Sequence, residues 1–276
     1  MRMLAGIEVV SLAVNVPGPV AAARLAAHGA TVTKIEPPSG DPLFHHVPAW
    51  YAQLAAAQTV LRLDLKAEEG RHALDSHLAR ADLLITASRP SSLARLHLDF
   101  PSLHRRFPRL CQLQILGFPP PDDELPGHDL TFQAAAGLIH DPPRMPFTLL
   151  ADLMGAERAV AGALALLLHR ERTGEATCRP VALVDAAAAL APPITLGMCG
   201  PDGPLGGALP GYAVYATEDG WIALAALEPR FLAIVQETLG MTPATAEGLR
   251  QVFRTRPSAH WEAWGRQHDV PVTPLR

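Results

Sequence analysis

The first half of the chain alternates short apolar runs with longer amphipathic runs. Apolar, β-branched runs predict strands at residues 8–12, 31–35, 81–86 and 110–116. An alanine-rich run over residues 20–28 predicts a helix that ends at Gly29, after a turn at residues 17–19. Strands that alternate with helices usually pair in parallel. The pattern therefore predicts an α/β layered fold.

The clearest predicted helix runs from just after Asp152 to about Arg172, and Gly174 supplies its C-terminal stop. Residues 181–184 predict a strand that leads into another helix at Asp185. Two further strands, at residues 212–215 and 221–224, flank a turn at residues 218–220.

A cluster of glycine and proline near residue 200 indicates a domain boundary. Pro192 and Pro193 precede it, and residues 200–207 contain four glycines. We therefore predict a large domain over residues 1–199, a linker over residues 200–210 and a small domain over residues 211–276.

Composition narrows the classes of function. The 276 residues are 49% hydrophobic and 18% charged, with a net charge of −4, and no basic stripe stands out. Nucleic acid is therefore not an expected partner. The cysteines Cys111, Cys178 and Cys199 are odd in number and lack CxxC spacing, which argues against disulfides and zinc and favours a reducing compartment.

Membrane insertion is not expected either. The start of the chain lacks the apolar run of a signal peptide, and the longest apolar run, residues 159–168, is too short to cross a bilayer. His45 and His46 form a tempting metal pair, but no third ligand lies at a useful spacing. We expect a cytoplasmic protein that binds no metal.

Several motifs occur in a fixed order along almost the whole chain. They are Gly6-Ile7-Glu8-Val9-Val10, Lys34-Ile35-Glu36-Pro37, Gly127-His128-Asp129-Leu130, Leu149-Leu150-Ala151-Asp152, Glu171-Arg172-Thr173-Gly174 and Tyr215-Ala216-Thr217-Glu218-Asp219-Gly220. Their order and spacing resemble CoA-transferase family III, also called the CaiB/BaiF family. Within that family, the branch of the alpha-methylacyl-CoA racemases is the most similar.

The resemblance implies a fold and a ligand. The expected fold is a Rossmann-like large domain with a parallel sheet, plus a small α/β domain, and two such chains interlock as a homodimer. The expected ligand is an acyl-CoA thioester, bound between large and small domains of the dimer. CoA enters as part of the substrate, and no other cofactor is expected.

The resemblance also implies catalytic residues. His128, Asp152 and Glu228 match positions of the racemase branch. Inverting an α-carbon requires two acid/base groups and donors for the enolate oxygen. We predict His128 and Asp152 as the two bases, with Glu228 accepting a hydrogen bond from His128. Asp129 is expected to cap the helix after His128, and N–H groups just after Asp152 to hold the enolate. Helix dipoles are expected to favour a neutral imidazole and an ionised carboxylate.

Three basic residues are candidates for contacts with CoA phosphates. Arg89 and Lys34 match family positions, and both side chains suit phosphate. Arg62 compensates in part for residues 55–59, where the relatives carry a basic stretch and this chain reads Ala-Ala-Ala-Gln-Thr.

Two further departures concern the site and the end of the chain. Leu153 and Met154 replace glycines beside Asp152, and they are expected to crowd a thioester. The small domain is expected to lack the segment with which relatives return to the large domain.

Three functions remain open from the sequence. The first is epimerisation at C2 of a 2-methylacyl-CoA by two-base proton transfer. The second is a CoA-transferase of the same family, in which Asp152 is the nucleophile of a covalent intermediate. The third is a degenerate, non-catalytic dimeric relative, which residues 55–59 favour.

Overall fold

The computed structural model describes residues 2–140, 142–200 and 202–276. The chain divides into two compact units, Met1–Ala191 and Pro192–Arg276.

The first unit contains a six-stranded parallel sheet. Its strands are β1 (Glu8–Ser11), β2 (Thr31–Glu36), β3 (Gln58–Arg62), β4 (Leu83–Thr86), β5 (Cys111–Leu116) and β6 (Cys178–Ala182). The strand order is β3-β2-β1-β4-β5-β6, and every neighbouring pair is parallel. The order reverses between β1 and β4, and open sheets of this kind bind ligands beyond the carboxyl ends of their strands at such a point. The predicted α/β fold is confirmed.

Helices of the first unit connect these strands. They are α1 (Pro17–Ala27), α2 (Pro42–His46), α3 (Pro48–Ala55), α4 (Glu68–Leu78), α5 (Pro90–Arg95), α6 (Phe100–Arg106), α7 (Asp129–Ala135), α8 (Leu150–Thr173) and α9 (Leu183–Ala188). Alternating strand residues serve two cores: Val9 and Leu83 pack with α1 and α8, whereas Val10 and Leu84 pack with α4 and α6. Because both faces of the sheet are covered at these central strands, their neighbouring residues are both apolar rather than alternating with polar ones.

Local differences from the sequence predictions have simple causes. Residues 17–19 begin α1 instead of forming a separate turn, since the fixed φ of proline suits the first helical turn. Strand β3 was not predicted, because it is a half-exposed edge strand with mixed polarity. Helix α8 ends as predicted at Gly174, whose φ of 78° is the left-handed conformation typical of a helix stop.

The second unit contains a three-stranded antiparallel sheet and a helical layer. Its elements are α10 (Pro192–Thr195), a π-helical segment (Pro204–Ala208), β7 (Tyr212–Ala216), β8 (Trp221–Ala225), α11 (Pro229–Thr238), α12 (Ala246–Phe253), α13 (Ser258–His268) and β9 (Val272–Pro274). The strand order is β7-β8-β9. Tyr215, Phe253 and Trp261 stack at the centre of its core. The two predicted strands of this segment are confirmed.

Two classes of feature are missing from the part of the chain that the structure describes. None of its helices combines the length and the apolar character that crossing a membrane requires. No three of its histidine, cysteine, aspartate and glutamate side chains are grouped so that they could hold a metal ion.

Candidate active site

The starts of helices α7 and α8 meet at one place in the first unit. His128 is the residue before α7, Asp129 is its first residue, and Asp152 lies in the first turn of α8. The Asp129 carboxylate accepts a hydrogen bond from the backbone N–H of Asp152, with Oδ1 and N 3.0 Å apart. The structure therefore brings the backbones of His128 and Asp152 to adjoining helix starts.

The role of Asp129 differs from the one predicted. The backbone N–H of His128 donates to the Thr131 hydroxyl at 3.1 Å, so Asp129 does not cap α7. Instead its buried carboxylate caps α8, where Leu149 has no side-chain acceptor. Gln133 fixes it, since its amide nitrogen donates to Asp129 Oδ2 at 2.6 Å and to the Thr148 carbonyl at 3.0 Å. The prediction that Asp129 caps the helix after His128 is wrong.

Asp152 is held in an environment that favours its neutral form. Burial is the main cause and the nearby Asp129 carboxylate the second, and together they raise the pKa of Asp152 to about 7. The helix dipole acts in the opposite direction, but it is worth roughly 0.3–1 kcal/mol, less than one pKa unit. Burial and the neighbouring charge therefore outweigh the dipole, and at neutral pH both forms are populated.

The predicted donors for an enolate oxygen are already used. The N–H of Leu153 donates to the Leu149 carbonyl at 3.0 Å, and the N–H of Asp152 donates to Asp129. The N–H groups of Leu150 and Ala151 have no acceptor within α8, because they occupy its first two positions. The half-buried Leu153 packs partly against the main core.

His128 is exposed and lines a cavity of about 220 Å³ near the carboxyl ends of β4 and β5. Arg89 and Asp123 line the same cavity. Gly127 sets the approach of this segment to the sheet, because a Cβ there would overlap the ring of the fully buried Phe132. The glycine before His128 is therefore a steric requirement.

A larger cavity of about 840 Å³ lies at the carboxyl ends of β1, β2 and β4. Ser88 lines both cavities, so they adjoin. Lys66 and Arg95 line the larger one. Sequence reasoning did not select them, although Lys66 belongs to the Leu-Asp-Leu-Lys step at residues 63–66 and was a detectable signal.

The basic residues predicted to bind CoA phosphates lie in different surroundings. Arg89 is exposed, precedes α5 and lines the cavity beside His128. Arg62 is exposed at the end of β3, and its Nε lies 3.8 Å from Glu36 Oε2. Phosphate binding by Arg62 and Arg89 stays a prediction.

Lys34 does not face a ligand site. Its side chain is 2% exposed, and its ammonium donates to Glu36 Oε1 at 2.9 Å and to Asp41 Oδ2 at 2.5 Å. It also lies 4.8 Å from the centre of the Tyr51 ring. Because its charge is enclosed by these partners, the prediction that Lys34 binds a CoA phosphate is wrong.

Glu228 belongs to the second unit. It is exposed and precedes α11. Its predicted hydrogen bond with His128 stays a prediction.

The sequence model of CoA-transferase family III matches residues 4–276. The chain belongs to this family. The resemblance inferred from the motifs is confirmed, and the α/β fold with its six-stranded parallel sheet is the one that the family's solved structures show.

Curated relatives in this family catalyse two kinds of reaction. The cinnamoyl-CoA:phenyllactate CoA-transferase of Clostridium sporogenes is 31% identical over 67% of this chain and 50% of its own. The alpha-methylacyl-CoA racemase of Homo sapiens is 29% identical over 99% of this chain and 77% of its own. The chain thus spans about half the length of the first relative and about three quarters of the second.

Two solved structures share the fold across essentially the whole chain. A hypothetical protein of Mycobacterium tuberculosis superposes with a TM-score of 0.85, at 22% identity, over 100% of this chain and 86% of its own. A CaiB/BaiF family protein of Brucella suis superposes with a TM-score of 0.82, at 25% identity, over 99% of this chain and 84% of its own.

Proposed function

We propose that the chain binds a 2-methylacyl-CoA and inverts its C2 by two-base proton transfer. One observation carries this proposal: Asp152, whose carboxyl group has a pKa of about 7, donates its backbone N–H to the side chain of Asp129, the residue that follows His128. The match to the human racemase over 99% of the chain supports it.

The reaction needs two groups that can each hold or release a proton. One base removes the α-proton and leaves an enolate, and the conjugate acid of the other returns a proton to the opposite face. Asp152 suits both directions, since a pKa near the working pH leaves both of its forms available. His128 is the second group, and Glu228 orients it in this proposal. The reaction moves only protons, so it needs no redox group, and the proposal includes no metal.

Charge stabilisation of the enolate falls to backbone donors in this proposal. The backbone N–H groups of Leu150 and Ala151 donate to the enolate oxygen. The N–H groups after Asp152 do not, because they donate to carbonyls at the start of α8. Arg62 and Arg89 bind CoA phosphates, and Lys66 and Arg95 add positive charge to the larger cavity.

Exchange of the α-hydrogen tests the proposal directly. With a 2-methylacyl-CoA in deuterium oxide, the purified chain incorporates deuterium at C2, followed by mass spectrometry. We expect His128→Ala and Asp152→Asn each to lower the rate by roughly 100- to 10,000-fold. Glu157→Gln is the matched control, because this exposed carboxylate lies on the same helix and pairs with Arg24. Undiminished exchange in both site variants refutes the proposal.

CoA transfer is the second candidate, favoured by the match to the Clostridium sporogenes transferase. Asp152 then attacks the thioester carbonyl, its oxygen forming an anhydride as the CoA thiolate leaves. Hydroxylamine traps such an acyl-aspartate, whereas an epimerase accumulates none. A labelled Asp152 in the wild type, absent from Asp152→Asn, favours transfer over epimerisation. If calorimetry detects no binding of a CoA thioester at millimolar concentration, a non-catalytic role replaces both.

Association of two chains and location in the cell also belong to the proposal. Large apolar side chains are exposed on both units, among them Met145, Phe147, Leu168 and Leu196. Their exposure supports association into a homodimer, which the resemblance to the family implies is interlocked. Sedimentation equilibrium measures the number of chains in the assembly. Three free cysteines support a reducing compartment, the cytoplasm, which cell fractionation tests.

A further inference from the structure

A buried carboxylate next to the larger cavity has one oxygen without a donor. Glu36 is the last residue of β2 and is 1% exposed. Its Oε1 accepts hydrogen bonds from Lys34 Nζ at 2.9 Å and from the Tyr51 hydroxyl at 2.8 Å. Within the described part of the chain, its Oε2 has no hydrogen-bond partner. A buried acceptor without a donor destabilises the folded chain, so a ligand that supplies a donor here is stabilised.

Among the residues that the structure describes, none is well placed to donate to this oxygen. Arg62 is a nearby cation, but its Nε lies 3.8 Å from Oε2, beyond hydrogen-bonding distance. The Arg62 side chain is 59% exposed, and its guanidinium lies over Gly40, whose φ is +80°. It is therefore free to shift and to uncover Oε2 when a ligand enters.

The position of Glu36 in the sheet indicates which donor fits. Glu36 lines the 840 Å³ cavity at the carboxyl ends of β1 and β2, next to the point where the strand order reverses. In doubly wound sheets an acidic residue at the end of the second strand accepts a hydrogen bond from a ribose hydroxyl of a bound nucleotide. Lys34 and Tyr51 hold Glu36 in one orientation, so its free oxygen is preorganised for such a donor.

We propose that Glu36 recognises the ribose of an adenine nucleotide by accepting a hydrogen bond from its 2′-hydroxyl through Oε2, while Arg62 pairs with the adjacent phosphate. The inference deepens the proposed function, because CoA carries a free 2′-hydroxyl beside a 3′-phosphate. The cation beside Glu36 offsets the repulsion between the carboxylate and that phosphate. Glu36 thus forms a ribose-specific subsite at the carboxyl end of β2.

Two matched nucleotides test the inference on the complete chain. Adenosine 3′,5′-bisphosphate, the nucleotide head of CoA, and its 2′-deoxy analogue differ only in the hydroxyl. Isothermal titration of the wild type is expected to show roughly 10- to 100-fold tighter binding of the ribose form, as for a hydrogen bond to a charged group. Equal dissociation constants for the two probes overturn the proposal without any variant.

Three variants then locate the effect. Glu36→Gln is expected to bring the ratio of the two dissociation constants close to one. Asp64→Asn is the control, since Asp64 lines the same cavity and its loss removes the same charge while leaving the ratio unchanged. Arg62→Gln is expected to weaken both probes equally and to keep the ratio. If Glu36→Gln does not fold, the wild-type comparison of the two probes remains the test. A ratio that persists in folded Glu36→Gln overturns the assignment.

Failure of this inference is distinguishable from failure of the proposed function. Deuterium exchange into a 2-methylacyl-CoA with equal binding of the two probes leaves the function standing and removes the role of Glu36. A ribose preference that Glu36→Gln abolishes, without any deuterium exchange, keeps the nucleotide subsite and removes the epimerase.

Discussion

Asp129 Oδ1 lies 3.0 Å from the backbone nitrogen of Asp152, and the Asp129 carboxylate contributes, after burial, to the raised pKa of the Asp152 side chain. One residue thus does two things at the candidate site. Its carboxylate accepts a hydrogen bond from the backbone N–H of Asp152, which has no acceptor within α8. Its negative charge also disfavours a second negative charge on the Asp152 side chain. The Gly-His-Asp segment therefore contributes its aspartate to the next helix rather than to its own.

Asp129→Asn is expected to lower the pKa of Asp152. Asparagine keeps an acceptor for the Asp152 N–H but removes the neighbouring charge. The pKa stays above its ordinary value, because burial is the larger cause of the increase. The pH dependence of deuterium exchange, or a carbon NMR titration of Asp152, measures the change. Glu157→Gln should leave it in place, and an unchanged pKa in Asp129→Asn contradicts the coupling.

Asp152→Asn is expected to stabilise the folded chain in neutral and alkaline solution. The folded pKa of Asp152, about 7, exceeds the ordinary value of 3.8, so between these pH values the folded state binds a proton that the unfolded state releases. Wild-type stability therefore falls as the pH rises from about 4 to about 7, and the full cost is present above 7. The variant escapes it, gaining at most about 4 kcal/mol. Urea unfolding at pH 4 and pH 8 measures the difference, which should vanish at the lower pH.

Gly127→Ala is expected to lower both stability and activity. The new methyl group overlaps the ring of Phe132, which is fully buried and has no room to turn away. Overpacking of this kind costs about 1–3 kcal/mol, and the backbone shift moves the adjacent His128. Thermal unfolding and deuterium exchange report the two effects. Gly220→Ala is the control, because the added methyl group meets no neighbouring atom there. Gly137 does not serve as a control, because its φ of +71° would strain any side chain.

Lys34→Met is expected to destabilise the first unit strongly. It leaves Glu36 and Asp41 buried without their shared cation, and breaking a buried ion pair in this way costs roughly 3–5 kcal/mol. Arg250→Ala breaks an exposed pair with Glu247 and should cost about 1 kcal/mol or less. Denaturant unfolding compares the two. If Lys34→Met unfolds like the wild type and instead weakens CoA binding alone, the buried role assigned to Lys34 is wrong.

The sequence alone identified the elements that are both regular and buried. The apolar runs around Val9 and Leu84, and the long helix that stops at Gly174, have strong local signals, since strands covered on both faces are uniformly apolar. Edge strand β3 lacked such a signal, because half of its side chains meet water. Motif order indicated the family, and the family comparison confirmed it.

Burial and long-range contacts decided the rest. Lys34 and Arg62 read alike in the sequence as basic residues near strand ends. In the structure two carboxylates enclose Lys34, whereas the Arg62 side chain is mostly exposed and lies at the edge of Glu36. Likewise Asp152 looked like an ionised cap, but its burial, and to a smaller extent the Asp129 carboxylate beside it, raise its pKa to about 7. Charge and proton affinity depend on what lies nearby in space, and a local pattern of residues does not encode those neighbours.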